Sequence, residues 1–240
     1  MENAAVMTGF EGLDKVLGGY RGGTLNVIAG MPGMRKSALA VNIAANIAER
    51  GIPVVYYSLD LSKDEIESRL KKSGKTACSS KLIVDDDITL VSDPMKIKSK
   101  LMELVDKPET KPGFVIIDYL QLLCMPGFKG KSRRDESAAI SRELKHLAIK
   151  YDVPTLVLSQ LSRACWREDH VPELADLRKF NTLDQDADSI VYIVRPSWFK
   201  RTPYPAIEDA QLIVAKNRFG DRDVEVDVKW YRDKVMFADP

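Results

Sequence analysis

The sequence predicts an α/β fold: a mostly parallel, twisted sheet with helices on both faces and antiparallel strands toward its C-terminal edge. Three observations carry this. Short apolar runs alternate with helical patterns along most of the 240 residues. Those runs are continuous rather than alternating, as strands buried on both faces of a parallel sheet must be. Only 224–230, VEVDVKW, alternates, which suits a half-exposed antiparallel strand near a sheet edge.

The elements follow in order. TLNVIA (24–29) reads as a strand. The helix predicted over 37–50 is apolar almost all round, with Leu39, Val41, Ile43, Ala44, Ile47 and Ala48, so it should be well buried; Gly51 stops it. VVYYS (54–58) is the next strand, and Ser62 with Glu65 three residues on makes a capping box that opens a helix through Leu70. A short strand over 82–84 precedes a helix over 93–105, begun by Pro94. FVII (114–117) is a buried strand ending at Asp118. Ile140, Leu144, Leu147, Ala148 and Tyr151 lie on one stripe of a helix over 136–151. Further strands are expected at 155–158, 190–194 and 212–215, and long loops at 125–134 and 196–208. No repeat, low-complexity tract or internal boundary interrupts the pattern, so 1–240 reads as a single domain.

Composition narrows the function classes. Hydrophobic residues at 45% and charged residues at 30% are those of an ordinary soluble domain with a substantial core. A net charge of +1 excludes a global basic field, so any nucleic-acid contact must use local patches. Cys78, Cys124 and Cys165 are scattered and lack metal spacing, which suits free thiols in a reducing cytosol. His146 and His170 have no ligand neighbour at useful spacing. The first residues lack a basic-then-apolar signal and no run reaches transmembrane length, so a cytoplasmic protein with no membrane partner is expected.

The chemistry concentrates in GMPGMRKS, 30–37, between a strand and a helix. Strand, glycine loop, Lys-Ser and helix are the layout of a phosphate-binding loop. Its backbone N–H groups cradle phosphates, a lysine reaches the terminal ones and a hydroxyl holds Mg²⁺. Gly30, Met31, Pro32, Gly33, Met34, Arg35, Lys36, Ser37 and Ala38 form that cradle, with Lys36 on the β- and γ-phosphates of ATP and Ser37 on the metal. Arg35 stands where the pattern GxxxxGK[ST] has glycine. A side chain there must point away, displace the nucleotide or add a cation for the phosphates.

Other polar residues fall at strand ends, where open parallel sheets bind ligands. Asp118 reads as the acid that holds the metal's water shell, and Asp60 as a carboxylate able to orient an attacking water. Lys216 and Arg218, two apart after a strand, suit a phosphate, including one on a neighbouring subunit. Lys129, Lys131, Arg133 and Arg134 form a basic loop, read either as solvated surface or as a contact for nucleic-acid phosphates. Arg178 and Lys179 give a second candidate, with Phe180 available to stack on a base or to pack in the core.

Taken in order, TGFEGLDKVLGG, IAGMPGMRKS, VVYYSLDLSKDEIESRL, VIIDYLQLL, AAISRELKHLA, VPTLVLSQLSR, DLRKFNTLDQDADSIVYIVR and AKNRFG resemble the ATPase domain of DnaB-type replicative helicases, from Thr8 to about Gly220. IDYLQL, SQLSR, QDAD and KNRxG separate this group from RecA-like ATPases in general. The resemblance implies a RecA-like P-loop NTPase fold assembled as a homo-hexameric ring. ATP and Mg²⁺ would then lie between subunits and single-stranded DNA in the central hole, with a helicase loader or primase as further partners. By family position, Gln160 senses the γ-phosphate, Lys216 and Arg218 reach the neighbour's nucleotide, and the segment carrying Arg178, Lys179 and Asn181 faces DNA.

The sequence departs from the family pattern in three places. Arg35 replaces the loop glycine. Asp60 stands for the catalytic glutamate and is shorter by one C–C bond, roughly 1.5 Å. Phe180 and Asn181 replace a small residue and a glycine. The family's amino-terminal domain has no counterpart among the matching strings. The main expectation is an ATP-driven helicase domain. The alternative is a hydrolysis-impaired paralogue acting through DNA or replication proteins. SQLSR and QDAD argue against a RecA-like recombinase or clock-type ATPase.

Overall fold

The computed structural model describes residues 4–75, 81–105, 111–130, 132–161, 172–178, 182–199 and 205–240. Within them the strands are β1 (Leu25–Gly30), β2 (Val54–Ser58), β3 (Leu82–Asp85), β4 (Phe114–Asp118), β5 (Thr155–Gln160), β6 (Ser189–Val194), β7 (Ile207–Asn217), β8 (Val224–Tyr231) and β9 (Met236–Ala238). They form one sheet in the order β3-β2-β4-β5-β1-β6-β7-β8-β9. Neighbours from β3 through β6 are parallel, and β6 through β9 are antiparallel. Every residue of β1, β2, β4 and β6 is buried, which is why these strands carry no polar alternation.

The helices are α1 (Glu11–Leu17), α2 (Lys36–Glu49), α3 (Lys63–Lys72), α4 (Ile88–Val91), α5 (Pro94–Val105), α6 (Arg133–Tyr151), α7 (Leu174–Arg178) and α8 (Leu183–Asp186). α2 buries residues on nearly every side, as its composition requires. On its outer flank Asn42 Oδ1 accepts from the Phe237 backbone N–H at 2.8 Å, tying β9 onto the helix. The capping box of α3 is formed: Ser62 Oγ accepts from Glu65 N–H at 3.2 Å and Glu65 Oε2 from Ser62 N–H at 2.9 Å.

Several expectations are corrected. β7 begins at Ile207, not 212, so the predicted loop over 196–208 is shorter and starts with a 3-10 turn at Pro196–Phe199. The first residues of β7 alternate exposed and buried, and the inward one at the start is Glu208, whose charge hides the strand signal. β8 is antiparallel, half-exposed and next to the edge, as expected; the edge itself is β9, three residues long, which the sequence reading did not include. α6 starts at Arg133 because Ser132 caps it, its Oγ accepting from Asp135 N–H at 3.2 Å, so Arg133 and Arg134 are helical rather than loop residues. α1, α4, α7 and α8 are too short for a periodic pattern to reveal.

Candidate phosphate-binding site

The carboxyl ends of β1, β2, β4 and β5 open onto a cleft of about 230 Å³. Its walls bring together Pro32, Gly33, Arg35, Lys36, Ser37 and Ala38 from the loop and α2, with Asp60 after β2, Asp118 at the end of β4 and Gln160 at the end of β5. Register explains the convergence: Gly30 pairs with Gln160, Ser58 with Asp118, and Ile117 with Val157, so the four parallel strands end at the same edge of the sheet, β1 and β5 running about two residues further than β2 and β4. Met31 and Met34 are buried and anchor the loop from below; Met34 N–H donates to the Met31 carbonyl at 3.2 Å.

Lys36 folds back into the loop, donating through Nζ to the carbonyls of Gly30 at 3.0 Å and Met31 at 3.2 Å. Burial depresses its ammonium to about 8, against the pull of Asp118 and Asp60. Asp118 is 1% exposed. Its Oδ2 accepts from the Tyr56 hydroxyl at 2.7 Å, while Oδ1 is buried without a hydrogen-bond partner. Burial pushes the carboxyl above its ordinary range, and the Tyr56 hydrogen bond with Ser37 close by opposes it. Gln160 is fixed by Gln121, whose Nε2 donates to the Gln160 carbonyl at 3.0 Å and whose Oε1 accepts from its N–H at 3.1 Å.

Arg35 adopts φ +70°, ψ +33°, the left-handed conformation that glycine takes without cost. Its guanidinium stands 5.7 Å from the centre of the Trp230 ring in β8, turned toward the antiparallel half of the sheet. Burial and then the charges of Arg195, Arg69 and Arg232 push it below the ordinary arginine value. Gly33 has φ +82°, and a Cβ there would meet Trp198 Nε1 at 2.7 Å. Both the turn and the indole therefore require glycine at this position.

Arg195, Glu208, Arg69, Tyr56 and Gln121 escaped the sequence reading. Arg195 is 2% exposed and Glu208 1%. The guanidinium of Arg195 donates to the Gly33 carbonyl at 3.0 Å and to Glu208 Oε2 at 2.6 Å. Arg232 and Ser197 also donate to Glu208. Burial raises the Glu208 carboxyl, but the Ser197 and Arg195 hydrogen bonds and the arginine charges outweigh it and leave it below its ordinary value. An ionisable residue closing the apolar run SIVYIVR was the available signal for Arg195.

Lys216 and Arg218 lie elsewhere. Lys216 pairs with Ile190 near the start of β6, the amino end of the parallel strands, opposite to the cleft. Its Nζ donates to the Asp184 carbonyl at 2.7 Å, and Arg218 donates to Asp188 Oδ1 at 3.1 Å. Asp188 Oδ2 also takes Lys145 at 2.5 Å and the Leu25 N–H at 2.9 Å. Lys129 is exposed on the connection after β4, and Arg134 is exposed in the first turn of α6. Arg133 is engaged within the chain, with Glu136 Oε2 at 2.6 Å and the carbonyls of Leu123 and Gln121 at 2.7 and 2.9 Å. Lys131, Lys179, Phe180 and Asn181, and the side chain of Arg178, lie outside the described residues.

Strand order, loop and cleft define a phosphate-loop domain of the RecA-like fold. The chain belongs to the DnaB-like helicase C-terminal domain family, whose model matches residues 5–82 and 67–239. It is 32% identical over 248 residues to a probable replicative DNA helicase of Trieres chinensis, covering 90% of this chain and 53% of that protein. Its fold is similar to a solved ATPase domain, with TM-score 0.86 and 30% identity over 98% of this chain and 91% of that one. It is also similar to a DnaB-like replicative helicase described with its interactions with primase, with TM-score 0.87 and 29% identity over 100% of this chain and 63% of that one. The chain spans about half the length of the curated relatives it matches. Among the described residues no helix is long and apolar enough to cross a membrane.

Proposed function

We propose that this chain is the motor domain of a replicative DNA helicase: it binds ATP with Mg²⁺ in the cleft and couples hydrolysis to movement on single-stranded DNA and duplex unwinding. The observation that carries the reading is the arrangement of Lys36, Ser37, Asp118, Asp60 and Gln160 around one cleft at the mouth of a phosphate loop. The residues present suit the cofactor. The buried, partnerless Oδ1 of Asp118 and the Ser37 hydroxyl are hard oxygen donors of the kind that hold magnesium through its waters and substrate phosphates. When bound, magnesium neutralises charge on the β- and γ-phosphates.

The chain's own groups supply the rest. The N–H groups of Lys36, Ser37 and Ala38 open α2 and lack intrahelical partners, so they point phosphate oxygens into the cradle. Lys36 exchanges the Gly30 and Met31 carbonyls for the terminal phosphates. Asp60 orients the attacking water by accepting its proton in a hydrogen bond, and Gln160 reports the γ-phosphate to β5. Lys216 and Arg218, at the far end of the sheet, would serve the nucleotide of the next subunit in a homo-hexamer. Lys129, Lys131, Arg134, Arg178, Lys179 and Asn181 would carry DNA contacts, with a loader or primase as protein partners. Arg133, at the start of α6, instead ties that helix to the connection after β4.

A second reading, binding with little turnover, is favoured by one observation: Asp60 is a bond shorter than the glutamate of the family pattern, and a misplacement near 1 Å can cost about a hundredfold in rate. ATP turnover with and without single-stranded DNA, on the wild type and Asp60→Glu, separates the two. DNA-stimulated wild-type turnover is expected. No wild-type turnover, with gain in Asp60→Glu, establishes the second reading. Absence of Mg-ATP binding by calorimetry overturns both.

A further inference from the structure

The peptide between Gly33 and Met34 is held from both sides. Its carbonyl accepts from Arg195 at 3.0 Å, across 162 positions of sequence, and its N–H donates to the Met31 carbonyl at 3.2 Å. The residue that holds it is itself fixed. Arg195 is 2% exposed, lies 5.4 Å from the Trp230 ring centre and is joined to Glu208 Oε2 at 2.6 Å. Glu208 is anchored in β7 and is further bound by Ser197 and Arg232.

A glycine-containing loop loses much conformational freedom when it closes on phosphate. Fixing the plane of one central peptide removes part of that loss before the ligand arrives, which strengthens binding without any new contact to it. The fork geometry of arginine is suited to the task, since one group must reach a backbone carbonyl and a carboxylate at once.

We propose that Arg195 is a positioning residue for the phosphate loop: backed by Glu208, it holds the Gly33 carbonyl turned away from the cradle and so presets the loop from the antiparallel half of the sheet. The proposal rests on the reading of the cleft as a nucleotide site and deepens it. Arg195 does not line the cleft, so it acts on a ligand there without touching it.

The test uses the whole chain and the double variant Arg195→Met/Glu208→Gln, which removes both buried charges together and avoids stranding either one. Two quantities are measured: the Kd for Mg-ATP by calorimetry, and hydrogen exchange at the Met34 and Arg35 amides without nucleotide. Circular dichroism verifies the fold well below the melting temperature. The expected result is exchange at least about tenfold faster at these two amides, with a Kd raised at least tenfold, equivalent to about 1.4 kcal/mol. Exchange unchanged from wild type, in a folded variant, overturns the proposal. If the wild type does not bind Mg-ATP, the nucleotide reading fails while the exchange comparison still decides the positioning role. Should the double variant not fold, Arg195→Lys, which cannot span both partners, is judged by the same exchange criterion.

Discussion

The Tyr56 hydroxyl donates to Asp118 Oδ2 at 2.7 Å, and the other carboxylate oxygen is left buried with no partner. A buried acceptor in that state costs about 1–3 kcal/mol. Because burial raises Asp118 above its ordinary value, the folded chain holds this proton more tightly than the unfolded chain. Its contribution to stability therefore falls as pH rises from the unfolded carboxylate value through the raised folded one. Asp118→Asn keeps an acceptor for Tyr56 and removes the buried charge. It should stabilise the nucleotide-free protein at pH 7 by roughly 1 kcal/mol while abolishing the effect of magnesium on nucleotide affinity. Urea unfolding and calorimetry with and without magnesium check the two halves.

Lys36 gives the opposite slope. Its folded value of about 8 lies below its unfolded one, so between pH 8 and 10.5 the unfolded state binds the extra proton and the lysine's contribution to stability grows as pH rises. Triphosphate in the cleft should restore the ordinary lysine value. Binding of Mg-ATP at pH 8.5 is then accompanied by proton uptake of roughly half a proton or more, seen as a calorimetric enthalpy that varies with the buffer's ionisation enthalpy. Lys36→Met should bind weakly and show no such buffer dependence.

The left-handed backbone of Arg35 makes a prediction about substitution size. Arg35→Gly relieves strain but adds freedom to the unfolded chain and loses the contact with Trp230, so it should lie within about 1 kcal/mol of wild type. Arg35→Val places a β-branched residue in the same conformation and should lose about 1–3 kcal/mol. Equal urea midpoints for the two variants would show that the backbone at residue 35 is not left-handed.

Arg218 can be removed without touching the core. Its side chain is 66% exposed, and Asp188 retains Lys145 and the Leu25 N–H. Arg218→Ala should change stability by less than about 1 kcal/mol. If the chain works as a ring, DNA-stimulated turnover should fall by about 10³-fold or more, as for other residues supplied to a neighbour's phosphate. Thermal melts and turnover on the same sample separate the two effects.

What the sequence disclosed follows from where charge sits. Strands β1, β2, β4 and β6 are buried on both faces, so their runs are apolar throughout and legible. The capping box at Ser62 is a local pattern and was equally readable. The loop, Asp60 and Asp118 declared themselves because each stands at or just past the carboxyl end of a strand, and Gln160 through the family resemblance. Glu208 misled: a buried carboxylate is tolerated only through partners remote in sequence, Arg195 and Arg232, and no local pattern announces them. Gln121 and Tyr56 were hidden for the same reason, since their importance lies in contacts 39 and 62 residues away.

The sheet has two unlike ends. Lys36 stands at one, and Lys216 and Arg218 stand at the other. A twofold axis would repeat any contact between these two ends in both directions at once, Lys36 end to Lys216 end and the reverse. A contact made in one direction only would leave each copy a donor edge and a receiver edge, so that a third copy can be added. Such a chain of copies either closes on itself or grows into a filament. The handedness and count of a closed assembly are then set by the angle between two surfaces of a single subunit.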